Sequence, residues 1–337
     1  MQRRSLFFLA PRQISIRRES LPSPAAGQVL VKTLLSAISS GTELLFYRGQ
    51  FPRDIPLDDN IPTLQGEPSY PLKYGYSLVG QVAALGPQVD PGWLQRLVFA
   101  FHPHETHFLS TPGELLAIPE GIAPEDAVFL PNMETAVNLV MDGAPLIGEQ
   151  VVVFGQGSVG LLTTALLARF PLDSLVTLDL FPMRRQLSLE SGAHASLDPA
   201  ELKAIKTLLP GGADLVFEVS GSPAALDLAI AAAGYAGRVV IGSWYGQKAA
   251  HLNLGGRFHR SRIRLISSQV SSLDPLLSGR WTKERRFDLA WKMLKKIQPS
   301  RWITHRFPFQ QAEQAYTLID NEPGQTIQVI FTYDQQT

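Results

Sequence analysis

The chain has 337 residues, more than one average hydrophobic core accommodates, so its length predicts two domains. The 30 Lys and Arg residues balance the 30 Asp and Glu residues, and no long run of one charge occurs, so nucleic acid and anionic membranes are not expected partners. Cysteine is absent, which excludes disulfides, thiolate metal ligands and cysteine nucleophiles. These counts favour a soluble globular protein.

The first residues do not have the pattern of an export signal. MQRRSLFFLAPRQ contains an apolar run of five residues before Pro11, which is too short for the core of a signal peptide. Residues 151–170 carry one charge, at Arg169, but a glycine motif explains this apolar stretch better than a membrane span does. We therefore expect a cytoplasmic protein with no membrane partner.

Residues 1 to about 120 show a pattern of strands and turns. SLFFLAPRQISIRRESLP predicts two short strands that meet at Pro11 and Arg12, and GQVLVKTLLSAIS predicts a long strand. A loop rich in proline follows, and then SLVGQVAALG and RLVFAFHP predict further strands. This half of the chain is expected to form a mainly antiparallel β domain with few helices.

From about Pro124 onward, strands alternate with helices. Apolar strands are predicted at 151–154, 175–179, 214–219 and 238–242, and helices at 158–170, 183–192, 199–209 and 223–233. This alternation is typical of a parallel, doubly wound sheet, to which RIRLISSQ at 262–269 adds a further strand.

The last part of the chain predicts an amphipathic helix, ERRFDLAWKMLKKI, and then an alternating strand within TIQVIFTY. Because that strand is able to return to the β domain, we expect a discontinuous first domain. The predicted domains are 1–122 with 300–337, and 123–299.

The most specific motif is VVVFGQGSVG, in which Gly155, Gly157 and Gly160 follow an apolar strand and open a helix. In this G-x-G-x-x-G spacing the first glycine makes a tight turn, the second lets the backbone approach a pyrophosphate, and the third lets helix and strand pack closely. Asp179 ends the next strand, where a carboxylate accepts hydrogen bonds from the ribose hydroxyls of adenosine. The motif predicts a dinucleotide site.

Asp179 favours NAD over NADP, because its charge would repel a 2′-phosphate. Arg184 and Arg185 follow it closely and suit a phosphate or a stacked adenine, so NADP stays possible. The ends of the predicted strands at 214–219 and 238–242 are expected near the nicotinamide. The predicted cofactor-binding residues are Gly155, Gln156, Gly157, Ser158, Val159, Gly160, Asp179, Arg184, Ser220, Gly221, Gly242 and Ser243.

Over nearly its whole length the chain resembles the medium-chain dehydrogenase/reductase superfamily. SSGTE (39–43) is similar to its Cys-Gly-Thr-Asp segment, YPLKYGYSLVGQVAALG (70–86) to its Gly-His-Glu segment, and GADLVFEVSG (212–221) to its fourth Rossmann strand. The resemblance implies an α/β protein with a GroES-like, mainly β catalytic domain and a Rossmann domain. LPNMETAVNLV and the SSQVSS stretch resemble most the branch of bacteriochlorophyllide hydroxyethyl dehydrogenases and threonine dehydrogenases.

The departures from this superfamily concern zinc. Its zinc enzymes use a Cys, a His and a third Cys, Glu or Asp as ligands, and the resemblance puts Ser40 at the Cys position, Tyr76 at the His position and Ser77 at the following Glu. Neither a neutral hydroxyl nor a phenol with a pKa near ~10 is a normal zinc ligand at neutral pH. The sequence therefore resembles a zinc-free member, and no zinc is expected.

Without a metal, other groups must polarise the substrate oxygen and supply a proton. The candidates for this catalytic role are Ser40, Thr42, Tyr76, Glu134 and His102. The resemblance matches Thr42 with a proton-relaying hydroxyl, Glu43 with an acid behind the zinc ligands, and Glu134 with the region of a third zinc ligand. Alternatively, the hydroxyls only satisfy backbone in a turn, Glu43 forms a structural salt bridge, and Glu134 stabilises a helix start.

The histidines of FHPHETHF form the chain's one histidine cluster, at His102, His104 and His107. On a strand, the first two would share a face while the third points elsewhere, so metal binding is less expected than a histidine beside the substrate cleft. Candidate substrate contacts are Phe46, Tyr47, Phe51, Trp244, Ser268 and Gln269, although residues of these types are more often part of a core or a loop.

Three functions remain open. The first is a zinc-independent NAD(P)-dependent oxidoreductase that interconverts a secondary alcohol and a ketone on a hydrophobic or cyclic small-molecule substrate. The second is an NADPH-dependent reductase of an activated C=C bond, as in quinone reductases, and the third is a dinucleotide-binding protein without turnover. A homodimer is expected, because the strand near 262–270 is a sheet edge that must be covered.

Overall fold

The computed structural model describes residues 1–57 and 61–334. The strands are β1 (Gln2–Ala10), β2 (Gln13–Ser20), β3 (Val29–Ile38), β4 (Leu78–Leu85), β5 (Leu97–Ala100), β6 (His107–Ser110), β7 (Leu116–Ala117), β8 (Gln150–Phe154), β9 (Ser174–Leu178), β10 (Ala195–Leu197), β11 (Ala213–Glu218), β12 (Ala233–Ile241), β13 (Arg264–Ser267), β14 (Ile303–Pro308) and β15 (Gln328–Thr332). The α-helices are α1 (Thr42–Arg48), α2 (Pro124–Ala127), α3 (Leu130–Gly143), α4 (Ser158–Leu167), α5 (Pro182–Glu190), α6 (Leu202–Leu208), α7 (Pro223–Ala232), α8 (Lys283–Ile297) and α9 (Ala312–Asn321).

The chain divides into two compact units. The first unit comprises Met1–Pro131 and the segment that begins at Gln298, and the second unit comprises Asn132–Ile297. The sequence placed these boundaries after residues 122 and 299. The final part of its first domain, 335–337, lies outside the described residues.

The first unit contains a seven-stranded sheet with the order β14-β15-β3-β4-β5-β7, in which β6 also pairs with β3. Apart from the parallel pair β14 and β15, its strand pairs are antiparallel. The predicted hairpin at Pro11 and Arg12 joins β1 to β2, and Arg12 adopts the left-handed conformation with a φ of 58°. The last strand, β15, pairs with β3, as the alternating pattern near the end of the chain predicts.

Apolar side chains fill two cores in the first unit. One joins β1, α1 and α9, with Phe8, Phe46, Phe51 and Tyr316 among its buried members. The other lies between strands β3, β4, β5 and β6 and includes Phe108. The first of these cores lies behind the segment 39–43, so packing from three separated parts of the chain positions that segment.

The second unit is built on a six-stranded parallel sheet with the order β10-β9-β8-β11-β12-β13. Strands β8 and β11 occupy the centre, and their Val, Leu and Phe side chains are buried, as expected for a sheet covered on both faces. If these six strands are numbered 1 to 6 along the chain, their order across the sheet is 3-2-1-4-5-6. This is the strand order of dinucleotide-binding folds. Strand β13 is the edge strand that the sequence predicts near 262–270.

The predicted fold class, a mainly β catalytic-type domain with a doubly wound parallel sheet, is confirmed. In the part of the chain that the structure describes, the helices are too short or too polar to cross a membrane.

Candidate active site

The glycine loop of the second unit has the geometry that its motif predicts. Gly155 follows β8 with a φ of 91°, and a Cβ there would lie 2.6 Å from the Cα of Ser220. A Cβ on Gly160 would overlap the carbonyl oxygen of Gly155. Both positions therefore require glycine, the first for its backbone conformation and the second for the close approach of α4 to the loop.

Gly157 differs from these two glycines because its surroundings are open. A Cβ built there would meet only the Nη1 atom of Arg184, at 3.9 Å. Helix α4 begins at the next residue, so the backbone beside this open space presents the positive end of a helix dipole. An open cradle at a helix start fits the pyrophosphate of a dinucleotide.

Gln156 braces the loop instead of facing the cradle. Its fully buried side chain donates from Nε2 to the carbonyl oxygen of Gly155 and accepts from the hydroxyl of Thr164, both at 3.0 Å. The side chain of Gln156 is therefore engaged within the loop, and its backbone is the part left for the predicted contact with the cofactor.

Asp179 lies directly after β9 and is tied to the same loop. Its Oδ2 accepts from the backbone N–H of Gln156 at 2.7 Å, and its Oδ1 accepts from the N–H of Phe181 at 2.9 Å. Each carboxylate oxygen has a second lone pair, so the group is still able to accept from ribose hydroxyls. Asp179 thus orders the glycine loop and stands where the adenosine half of a dinucleotide is recognised.

Arg184 lies over the ring of Phe181, and its Nη1 is 3.8 Å from Asp179 Oδ2. Burial lowers the pKa of this guanidinium, and Asp179 opposes that shift. The neighbouring Arg185 turns to the backbone, donating to the carbonyl oxygens of Asp179 and Leu180 at 2.8 and 3.0 Å. Of the two arginines, Arg184 is the one beside the cradle.

The ends of β11 and β12 are joined by a buried carboxylate that the sequence interpretation missed. Glu218 is fully buried, and it accepts from the N–H and hydroxyl of Ser220 and from the hydroxyl of Tyr245. Gly221 N–H donates to the hydroxyl of Ser243 at 2.8 Å. These contacts bring three of the predicted strand-end residues, Ser220, Gly221 and Ser243, to one edge of the sheet.

Gly242, the fourth predicted strand-end residue, is closely packed against α3. A Cβ there would come within 2.6 Å of the Leu139 side chain. Burial, and then the charge of Glu218, raise the pKa of Tyr245, so this phenol remains a donor to Glu218 at neutral pH.

In the first unit, three hydroxyls meet beside the start of α1. Tyr76 donates to Ser39 Oγ at 2.6 Å, and its oxygen lies 3.4 Å from Thr42 Oγ1. Ser39 Oγ also accepts from the N–H of Thr42 at 3.3 Å. The structure therefore brings together Tyr76 and Thr42 of the predicted catalytic residues, with Ser39 as the third member. Ser40 is exposed, so the hydroxyl joined to the cluster is that of its neighbour.

Glu43 connects this cluster to a buried polar network. Its Oε1 accepts from the N–H of Ser39 at 2.8 Å, and its Oε2 lies 3.0 Å from His104 Nε2 and accepts from the hydroxyl of Tyr316. Both Glu43 and His104 are fully buried. Glu43 therefore fixes the backbone from which the Ser39 hydroxyl projects.

The network continues through His104. Its Nδ1 is 2.7 Å from the hydroxyl of Ser36, which is in turn 2.7 Å from the hydroxyl of Tyr333. The imidazole packs against Gly75, where a Cβ would lie 2.9 Å from His104 Cδ2. Gly75 has a φ of 132°, so both its conformation and the histidine require glycine next to Tyr76.

His102 and His107 have other surroundings. His102 stacks on Phe108 with the ring centroids 3.9 Å apart, and burial lowers its pKa. His107 is 3.2 Å from the hydroxyl of Thr106, and burial lowers its pKa as well. Across residues 1–57 and 61–334, no three His, Asp or Glu side chains are grouped as metal ligands. The contacts thus single out His104 in this cluster, whereas the sequence interpretation chose His102.

Glu134 lies in the second unit and is held by an ion pair. Its Oε1 accepts from Nη2 and Nε of the fully buried Arg286, at 2.7 and 3.2 Å. Burial raises the pKa of Glu134, and Arg286 opposes this. A carboxylate bound in this way is a poor general base, because accepting a proton would break the pair.

Three of the predicted substrate contacts are core residues. Phe46, Tyr47 and Phe51 are at most 4 % exposed, and Phe46 stacks on Phe51 and on Tyr74. The alternative, that these aromatic residues belong to the core, therefore holds for all three, two of them on α1 and Phe51 just after it. Trp244 is 39 % exposed.

One residue that the sequence interpretation missed, Ser39, had a local signal. Ser39 and Glu43 are four residues apart at a helix start, and the serine hydroxyl and the glutamate each accept from backbone there. By contrast, Ser36, Tyr316 and Tyr333 reach the network through tertiary packing, for which the sequence has no spacing rule.

Comparisons with known proteins agree with this fold. The sequence profile of the zinc-binding dehydrogenase family matches residues 158–287, which exclude positions 40 and 76. The chain is 22% identical to the starvation-sensing protein RspB of Escherichia coli K12, with coverage of 98% of this chain and 100% of that protein. It is 24% identical to the D-guloside 3-dehydrogenase of the same organism, with the same coverage.

Among solved structures, an alcohol dehydrogenase (rspB) from Escherichia coli CFT073, complexed with NADH, superposes with a TM-score of 0.79 at 21% identity. The alignment covers 98% of this chain and 99% of that one. The strand order, the glycine loop and these relatives together indicate the class: over nearly its whole length the chain is similar to dehydrogenases of the medium-chain dehydrogenase/reductase type, and it is an oxidoreductase of that type.

Proposed function

We propose that this protein is a zinc-independent, nicotinamide-dependent oxidoreductase that interconverts a secondary alcohol and a ketone. The observation that carries the proposal is the hydroxyl cluster of Tyr76, Ser39 and Thr42. The resemblance puts Tyr76 at a zinc-ligand position and Thr42 at the position of a proton-relaying hydroxyl. A chain without cysteine cannot supply the thiolate ligand of those enzymes. The second unit is the cofactor domain in this proposal, and the first unit is the catalytic domain.

Residues of the second unit would hold the cofactor. The open cradle at Gly157 and the start of α4 suit the pyrophosphate, and Asp179 suits the adenosine ribose. Bound there, a nicotinamide supplies or accepts the hydride. The carboxylate of Asp179 favours NAD. One structural neighbour has NADH bound and another has NADP, so the neighbours support a nicotinamide cofactor of either kind.

In the first unit, Tyr76 is the proposed acid. When a ketone is reduced, its oxygen gains negative charge and takes up one proton, and a phenol supplies both a hydrogen bond and that proton. Ser39 and Thr42 are within hydrogen-bonding range of the phenol oxygen and would return a proton to it. In the direction of oxidation, the same groups accept the alcohol proton.

The surroundings of Glu43 support a site without metal. In the zinc relatives the acid at this position stands behind a ligand, whereas here Glu43 is fully engaged by His104, Tyr316 and the backbone of Ser39. The carboxylate serves to orient the hydroxyl cluster. A buried carboxylate of this kind is stable when each of its oxygens has a hydrogen-bond donor, as both have here.

The substrate we propose is hydrophobic or cyclic. The resemblance of LPNMETAVNLV to the bacteriochlorophyllide dehydrogenase branch supports a hydroxyethyl group on a large ring, and the relative named D-guloside 3-dehydrogenase supports alcohol oxidation more generally. We also propose a cytoplasmic homodimer that covers the edge strand β13, since an exposed edge invites pairing.

Substitution Tyr76→Phe tests the role of the phenol. We expect kcat for ketone reduction to fall by about 10²- to 10⁴-fold, the usual contribution of a positioned acid, with NADH affinity unchanged. The matched control is Tyr70→Phe, which removes a hydroxyl that donates to the carbonyl oxygen of Phe46 in the same unit. Equal activities of the two variants would refute the role of Tyr76, and activity on enones alone would favour C=C reduction.

A further inference from the structure

A fully buried arginine forms hydrogen bonds with the backbone of the segment that follows β13. Arg286, on α8, donates from Nη1 to the carbonyl oxygen of Ser272 at 3.1 Å and from Nη2 to the carbonyl oxygen of Val270. The side chain has no exposed surface. One guanidinium therefore binds two backbone carbonyl groups of the segment 268–272.

Two residues of α3 hold Arg286 in place. Glu134 accepts from its Nε and Nη2, and Asn138 Oδ1 accepts from its Nη1 at 2.5 Å. These residues are four apart, so they lie on one face of the helix. With two side-chain acceptors and two carbonyl oxygens, the planar fork of the guanidinium is fully used.

The same face of α3 also holds the start of the segment. Asn138 Nδ2 donates to the hydroxyl of Ser268 at 3.1 Å, and that hydroxyl donates to Asp142 Oδ2 at 2.6 Å. Ser268 N–H in turn donates to the carbonyl oxygen of Ile241, at the end of β12. The segment is thus fastened at Ser268, Val270 and Ser272, beside the Gly242 and Ser243 strand end.

The position of this segment in the sheet relates it to the cofactor. Ligands of doubly wound sheets bind at the carboxyl ends of the strands, with one half of a dinucleotide on each side of the centre. Asp179 stands at the end of β9 on one side, and segment 268–272 stands at the end of β13 on the other. The segment therefore belongs to the nicotinamide half.

We propose that Arg286 is a positioning residue for the nicotinamide: through the carbonyl groups of Val270 and Ser272, and with Glu134 and Asn138 as its supports, it fixes segment 268–272 as a wall of the nicotinamide site. The inference rests on the proposed use of a nicotinamide cofactor. It is independent of the proton donor and of zinc. It also gives Glu134 a role at the cofactor in place of general base.

Binding of two ligands separates this role from a merely structural one. NADH has both halves of the dinucleotide, whereas ADP-ribose lacks the nicotinamide, so titration calorimetry with each ligand measures the two halves separately. For Arg286→Met we expect NADH affinity to fall about tenfold or more, with ADP-ribose affinity within about twofold of the unchanged protein. Arg286→Lys keeps the positive charge but lacks the planar guanidinium. Its NADH affinity should lie between that of the unchanged protein and that of Arg286→Met.

Controls make each outcome decisive. Arg285→Met is the matched control, because Arg285 is the preceding residue of α8 and is exposed, and it should leave both affinities unchanged. If Arg286→Met does not fold, Asn138→Ala loosens the same segment at lower cost and is judged by the same comparison. Equal loss of NADH and ADP-ribose affinity, or no loss of either, would overturn the proposal. Neither result affects the assignment of Tyr76, which is judged by kcat.

Discussion

The glycine loop and the buried network around Glu43 position functional groups in different ways. The loop runs from Gly155 to Gly160, and its supports, Gln156 and Asp179, come from the same strand-helix-strand unit. The network joins Ser36 and Glu43 to His104, Tyr316 and Tyr333, residues that are nearly the whole chain apart. The first arrangement is set by backbone geometry and the second by tertiary packing.

This difference has a consequence for what each region tolerates. In the loop, a single methyl group is permitted or forbidden according to the space around one Cα. In the network, each side chain satisfies the next, so the loss of one member leaves a buried polar group without its partner. Substitutions that separate these two kinds of constraint test the comparison.

The largest effect is expected at Gly160. A Cβ there would overlap a backbone carbonyl that cannot move aside, so Gly160→Ala should destabilise the second unit by about 3 kcal/mol or more and abolish NADH binding. Gly157→Ala is the matched control, because its methyl group enters open space. It should leave thermal stability unchanged and still weaken NADH binding. Equal stability of the two variants would contradict the geometry of the loop.

A somewhat smaller effect is expected at Glu43. Glu43→Gln replaces one of two accepting oxygens with a donor inside a fully buried network, and we expect a loss of about 2 to 3 kcal/mol in the free energy of unfolding. The kcat should fall as well, because Ser39 loses its support. Chemical denaturation measures the first effect and steady-state kinetics the second.

Glu114→Gln is the control for this comparison. Glu114 accepts hydrogen bonds at an exposed helix start in the same unit, so its amide variant should lose about 1 kcal/mol or less. If both variants were equally stable, the network around Glu43 would not have the energetic weight that its burial implies.

The smallest effect concerns the choice of cofactor. Asp179→Asn removes the charge that opposes a 2′-phosphate while Arg184 stays nearby, so the ratio of NADPH to NADH affinity should rise by about tenfold, or ~1.4 kcal/mol. Adding Arg184→Met should reverse much of this shift. Fluorescence titration of both cofactors checks the ratio, and Arg169→Met is a control at the far end of α4. An unchanged ratio would show that Asp179 acts only as a brace for the loop.

The two regions also differ in how far the sequence predicted them. Gly155, Gly157 and Gly160 identified the loop because its geometry depends on local spacing, and the strand pattern around them gave the sheet. Tyr76 and Thr42 were found through family resemblance. The sequence could not show that Ser39 instead of Ser40 joins them, since that depends on how α1 begins.

His104 and Arg286 show why the sequence could not predict the other residues of the candidate site. His104 is one of three nearby histidines, and only the packing of Gly75 and Glu43 distinguishes it. Arg286 sits within a charged, amphipathic helix and reads as a surface residue, yet its side chain is fully buried against Glu134. Long-range partners decide the burial of such polar residues, and one sequence does not record them.

In the proposed mechanism, hydroxyl groups of the first unit, and not zinc, assist hydride transfer. The most direct measurement is the metal content of purified enzyme, determined by mass spectrometry on the same sample whose ketone reduction with NADH is assayed before and after treatment with a chelator. The account predicts full activity with far less than one zinc ion per chain and no effect of chelation. Stoichiometric zinc, with activity lost on its removal and restored on its return, would contradict it.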